Sequence, residues 1–133
     1  MSALLGKTAL ITGGSKGIGA ATAILLAKAG ANIAINYSSD STAADDVVNQ
    51  IGADHAITIK ADAGDISAIE KMVATTVHKF GKIDILIPSA GLLLMRDVEA
   101  TTESDFDKIM RLNVKGPYFL VQVRPNPFIH YRA

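Results

Sequence analysis

The sequence contains no cysteine, no tryptophan, four prolines and only seven phenylalanine and tyrosine residues together, counted as four Phe and three Tyr. The missing cysteines exclude disulfides, thiolate metal centres and a cysteine nucleophile. Thirteen basic residues balance thirteen acidic ones, so the net charge is zero. A nucleic-acid binder working through bulk electrostatics is excluded on that count, which leaves room only for local basic pockets. His55, His78 and His130 stand far apart in unrelated contexts, and no metal site is expected from them. No apolar run approaches the ~20 residues of a membrane span. The opening MSALLGK has no charged segment ahead of an apolar core, so no secretory leader is expected. These absences predict a cytoplasmic protein with neither nucleic acid nor membrane as a partner.

What is present is a dense, patterned apolar composition. Apolar residues make up 49% of the 133 residues and charged residues 20%, enough for one packed domain. Apolar runs that read as buried strands alternate with segments of helical spacing. The strands are expected over 7–12 (KTALIT), 32–37 (NIAINY), 55–60 (HAITIK) and 83–87 (IDILI, ended by Pro88). The helices are expected over 17–29 with Gly30 as its cap, 41–51 closed by Gly52, a third ending at Gly81, and a last one opening at Thr102-Glu-Ser-Asp105. The third shows capping-box spacing at Ser67-Ala-Ile-Glu70. Four strand–helix repeats with short connections predict an α/β fold, a Rossmann-like doubly wound parallel sheet.

In such sheets ligands sit beyond the carboxyl ends of the strands, which directs attention to four loops. The first, Thr12-Gly-Gly-Ser-Lys-Gly-Ile-Gly19, departs from G-x-G-x-x-G and lacks the Gly-Lys-Ser/Thr of a P-loop. Its glycines permit a tight turn and a close ligand approach, and the helix that follows presents amides to a pyrophosphate. The second loop ends a strand with Tyr37-Ser38-Ser39, where an NAD site would carry an acidic residue. Hydroxyls there, with Lys16 close by, suit a 2′-phosphate, so NADP(H) is preferred over NAD(H). Asp40 reads as a turn or N-cap residue beyond that position.

The glycine motif, Asp62, Ala90-Gly91 and Asn113 together resemble the short-chain dehydrogenase/reductase family over residues 5 to about 122, with a flavour similar to 3-oxoacyl-carrier-protein reductases and fungal polyketide ketone reductases. The resemblance implies an oxidoreductase transferring hydride between NADP(H) and a carbonyl or alcohol. It assigns cofactor binding to Gly13, Ser15, Lys16, Gly17, Ile18, Gly19, Tyr37, Ser38, Ser39, Asp62, Ala63, Ser89, Ala90 and Gly91. Asp62 would receive the adenine amino group. Where the family usually has Asn-Asn-Ala-Gly, this chain has Pro88-Ser89-Ala90-Gly91, so other groups must supply the missing amide hydrogen bonds.

Asn113 holds the family's proton-relay position. Pro117, four residues later, has no N–H to offer the Asn113 carbonyl, which leaves that oxygen open to a water. The resemblance further implies a serine, a tyrosine and a lysine after this helix. Tyr131 has no lysine four residues on, and Pro125 and Pro127 exclude a helical continuation. Residues 1–122 are therefore expected to be an NADP(H)-binding half-domain and 123–133 an atypical tail, as a junction in the transcript at codon 123 would produce. On that expectation the chain alone has little or no activity, and a small carbonyl substrate belongs only to a full-length form. It would form homo-oligomers or pair with a full-length relative through the Asn113 helix. The alternative is a non-enzymatic nucleotide-binding or self-associating protein.

Overall fold

The structure, a computed structural model, describes residues 2–123. The expectations placed on 124–133, including those for Pro125, Pro127, His130 and Tyr131, lie outside the described residues. Four strands alternate with helices: β1 (Thr8–Thr12), α1 (Gly17–Lys28), β2 (Asn32–Tyr37), α2 (Ser41–Ile51), β3 (Ala56–Lys60), α3 (Ile66–Phe80) and β4 (Ile85–Pro88). A 3-10 turn (Val98–Ala100) then leads to α4 (Glu103–Met110), a π-helical turn (Arg111–Lys115) and α5 (Gly116–Gln122). All strand pairs are parallel, in the order β3-β2-β1-β4. The chain thus winds outward to β3, then crosses back past β1 to β4.

The strands are almost wholly apolar because both faces of the sheet are covered. Ala9, Ile11, Ile33 and Ile35 point to one face and pack with Ala23 of α1 and Val47 of α2. Leu10 and Ala34 point to the other, among Ile69, Met72 and Val73 of α3 and Leu120 of α5. This is the period-two alternation of strands with two cores rather than one. The buried positions of β1 and β2 leave no room for charge.

The chain ends of the helices follow local chemistry. Gly30, at φ +100°, sits one residue past the Ala29 cap of α1, and the Gly30 and Ala31 amides bond the Ala27 and Leu26 carbonyls. That is the left-handed helix exit that favours glycine. The last helix opens at Thr102 as expected, and Thr102 and Asp105 form a reciprocal capping box there. The start of α3 is corrected: Asp65, not Ser67, is the N-cap, its carboxylate accepting the Ala68 N–H. An Asp two residues earlier outcompetes the Ser because the helix already begins at Ile66.

The last helix is likewise not continuous. Between α4 and α5 the backbone widens into the π-helical turn, where the Gly116 N–H bonds the Arg111 carbonyl five residues back. Pro117 removes the donor that would have met Asn113, and the extra residue per turn absorbs the defect.

Candidate functional site

At the carboxyl ends of β1, β2 and β4 lies a cleft of about 440 Å³. It opens beside the point where strand order reverses between β1 and β4, the crevice position for a ligand in such sheets. Gly13, Ser15, Lys16, Tyr37, Ser38, Asp62, Ala63, Ser89, Ala90 and Gly91 all line it. Gly17, Ile18 and Gly19 form the first turn of α1, directly after the lining residues Ser15 and Lys16, and are not themselves among the lining residues; Ile18 is 82% exposed. Ser39 and Asn113 are not among the lining residues.

The glycine loop has its shape for steric reasons. Gly13 has φ +62°, and a Cβ there would stand 2.8 Å from Ala90 Cα on the neighbouring chain segment. The β1 and β4 loops thus touch backbone to backbone, and the Ala90 N–H is held by Thr12 Oγ1 at 3.2 Å. No side chain caps the start of α1, whose N-cap is Lys16. A Cβ on Gly17 would meet nothing within 4 Å. Open space in front of an uncapped helix start is what an anionic ligand requires.

A buried asparagine holds this end of the sheet together, and sequence reading passed over it. Asn36 is 2% exposed. Its Oδ1 accepts the Gly13 N–H at 3.2 Å, while its Nδ2 donates to the Ala61 and Ile59 carbonyls at 3.0 and 3.3 Å. One side chain of β2 therefore ties the loop after β1 to the end of β3 and the residue that follows it. It supplies cross-strand bonding of the kind that the absent Asn-Asn pair left to be found. The available signal was a lone polar residue in the apolar run NIAINY, where burial demands partners.

Two ion pairs border the cleft. Lys16 Nζ lies 2.8 Å from Asp40 Oδ2. Asp40 is also the N-cap of α2, as expected, its Oδ1 accepting the Ala43 N–H at 3.0 Å. The Lys16 ammonium and the Ala43 amide hold the Asp40 carboxyl below the usual carboxylate range. On the other side Asp62 Oδ1 accepts the Gly64 N–H at 2.8 Å, and Oδ2 pairs with Arg111 Nη1 at 2.8 Å. The Gly64 amide and then Arg111 lower the Asp62 carboxyl against a contrary push from burial. Neither Arg111 nor the Lys16–Asp40 contact was foreseen. Arg111 is 49 residues from Asp62 in the chain, and no local pattern marks such a pair.

Asn113 lies on the exposed side of its turn rather than on a buried apolar face. Its Oδ1 accepts the Leu92 N–H and its Nδ2 donates to the Leu92 carbonyl. The apolar Phe106 of α4 and Val114 of the same turn are also largely uncovered, 58% and 51% exposed. Among the described residues no group of three His, Asp or Glu side chains could hold a metal, and no helix is long and apolar enough to cross a membrane.

Comparison with known proteins gives this geometry a family. The short chain dehydrogenase family model matches residues 7–129. Versicolorin reductase 1 of Aspergillus parasiticus is 41% identical over 119 residues, which are 88% of this chain and 45% of that protein. A short chain dehydrogenase from Burkholderia cenocepacia, solved in complex with NADP, superposes with a TM-score of 0.87 at 39% identity, over 90% of this chain and 50% of that one. A blue fluorescent protein from a metagenomic library, solved in complex with NADPH, superposes with a TM-score of 0.85 at 35% identity, over 90% of this chain and 50% of that one. The chain spans about half the length of the curated relatives it matches. With its doubly wound sheet and glycine-lined crevice, this chain belongs to the short-chain dehydrogenase family.

Proposed function

We propose that the chain binds NADP(H), in preference to NAD(H), as the cofactor-binding half of a carbonyl reductase or alcohol dehydrogenase. The observation that carries the reading is the corner formed by β2 and the glycine loop. Tyr37 and Ser38 line the cleft with Lys16 and without an acidic residue at the strand end. Hydroxyls and an ammonium suit a 2′-phosphate, whereas a carboxylate there would suit a free ribose hydroxyl. When bound, the nicotinamide supplies or accepts the hydride.

The residues of the chain divide the binding work. The amides at the start of α1, from Gly17 to Gly19, hold the pyrophosphate against the dipole of a 12-residue helix. Ser15 closes this loop from the side of the cleft. Asp62 and Ala63 border the adenine. Ser89, Ala90 and Gly91 let the second ribose and the nicotinamide come close to the backbone. Asn113 acts in two ways: its side chain fixes Leu92 at the substrate end, and its carbonyl, deprived of a donor by Pro117, holds a water for proton transfer. We assign no serine, tyrosine or lysine of the described residues to proton donation. Binding without appreciable turnover is the activity proposed for the chain alone, and a small carbonyl substrate is proposed for the full-length form only.

Titration of NADPH fluorescence with the wild-type chain and Lys16→Ala tests the reading. Saturable binding is expected, with Lys16→Ala weakening NADPH more than NADH. Equal losses for both cofactors would remove the 2′-phosphate role.

A second reading concerns association. Met110, Val114 and Tyr118 line a shallow groove of about 450 Å³ between the charged Asp107, Arg111 and Lys115. We infer that this face pairs with a second copy or a full-length relative, since apolar rows flanked by charge of both signs suit a self-complementary contact. Sedimentation velocity should show a dimer that Val114→Glu converts to monomer, and a concentration-independent monomer for the wild type would exclude self-pairing.

A further inference from the structure

The Lys16–Asp40 pair has a feature that its separate roles do not explain. Asp40 has two carboxylate oxygens, each already committed. Oδ1 is bound to the Ala43 amide and fixes the carboxylate to the first turn of α2. Oδ2 then stands 2.8 Å from the Lys16 ammonium, which lines the cleft together with Tyr37 and Ser38. Lys16 is free to swing, with a side chain 66% exposed, whereas Asp40 is held by its cap. The acidic residue excluded from the strand end is therefore present three residues later, and it reaches the same corner through the lysine.

We propose that Asp40 moderates the cofactor preference, by holding Lys16 in an ion pair that a 2′-phosphate must break. This inference rests on the NADP(H) reading above. Lys16 has one ammonium, and a carboxylate and a phosphate compete for it. A solvent-exposed pair is weak, and a phosphate near two negative charges outcompetes a single carboxylate. The exchange is thus favourable, yet it returns less affinity than an unpaired lysine would. NADH has no 2′-phosphate and leaves the pair intact. Asp40 consequently narrows the gap between the two cofactors from the NADPH side alone.

The test is a four-protein binding cycle on the full chain: wild type, Asp40→Asn, Lys16→Ala and the double variant. Each is titrated with NADPH and with NADH by fluorescence. Asparagine keeps the oxygen that caps α2 and removes the charge. Asp40→Asn should tighten NADPH about fivefold, the size of one exposed ion pair, and leave NADH within about twofold. In the Lys16→Ala background the same change should have no effect on NADPH. A uniform change for both cofactors, no change for either, or a gain that persists without Lys16 would each overturn the proposal while leaving NADP(H) binding itself standing. Absence of saturable binding by the wild type would overturn both readings together. Should Asp40→Asn lose its helix by circular dichroism, Asp40→Ser, a second capping residue without charge, carries the same expectations.

Discussion

Asn113 clasps the backbone of Leu92 from both sides, its Oδ1 accepting the amide at 2.7 Å and its Nδ2 donating to the carbonyl at 2.8 Å. A side chain from the π-helical turn therefore completes the hydrogen bonding of one residue in the segment after β4. Leu92 has no strand partner to serve it, because β4 ends at Pro88. The pair joins the two parts of the site that sequence reading treated separately, the Ala90-Gly91 loop and the relay helix. An asparagine suits the place because it presents one donor and one acceptor in the geometry of a peptide.

Asn113→Ala should cost about 1–2 kcal/mol, the net worth of two hydrogen bonds at an exposed position. Urea denaturation measures the loss. Asn113→Asp keeps the acceptor and surrenders the donor, so it should fall between the two. An unchanged midpoint for Asn113→Ala would show that the clasp adds nothing to the fold.

Asn36→Leu should be more damaging, because the loss leaves buried groups without partners. The Gly13 N–H and the Ala61 and Ile59 carbonyls would all lose a bond. A destabilisation of about 2–4 kcal/mol is expected from unsatisfied buried polar groups, read from chemical denaturation. Because the glycine loop is among the groups released, NADPH binding should weaken in the same variant under conditions where it remains folded.

Gly13→Ala combines a left-handed backbone with an overlap. The positive φ alone costs an alanine about 1 kcal/mol or more, and the new Cβ would lie 2.8 Å from Ala90 Cα and 2.9 Å from its nitrogen. Neither neighbour is the end of a flexible side chain. A total loss of about 2 kcal/mol or more is expected. Gly17→Ala, with a positive φ but open space, should cost less, so the comparison isolates the contact with the β4 loop.

Stability should fall as the solution is acidified, through named carboxylates. For Asp84, burial pushes the carboxyl up, but the Thr8 amide at 2.9 Å and the ammonium groups of Lys82 and Lys7 outweigh it. Asp105 is likewise lowered by the Thr102 amide, the Thr102 hydroxyl and Arg96. A carboxyl depressed on folding stabilises the protein above its ordinary value of 3.8. That contribution is lost as pH falls through the lower folded value, where the unfolded chain has already taken its proton. Urea midpoints between pH 6 and pH 3 should therefore decline, and Asp84→Asn should flatten the decline. A profile that is level across that range would contradict the assignment.

The sheet and its ligand edge were legible because they are local in cause. Runs such as TALIT and NIAINY can be strands buried on both faces and little else, and Gly30, Gly52 and Gly81 punctuate the helices by backbone preference. Capping boxes are read less surely. Thr102 and Asp105 formed one, while Ser67 lost its place to Asp65, because the choice depends on where the first helical turn begins. The missing N–H of Pro117 is visible in the sequence; that a π-helical turn would stand ahead of the proline, with Gly116 set close against the Ala63 carbonyl, is not.

What the sequence by itself determined is the order of strands and helices, the glycine turn at residues 13–19 and the set of loops at the carboxyl edge. Each depends on residues within a few positions of one another. The tertiary structure alone decided that Asn36 would join the loop after β1 to the end of β3, that Asp40 would hold Lys16, that Arg111 would meet Asp62, and that Asn113 would clasp Leu92. These contacts join residues 21 to 49 positions apart. A polar side chain announces that it needs a partner, but only the folded backbone brings one within hydrogen-bonding reach.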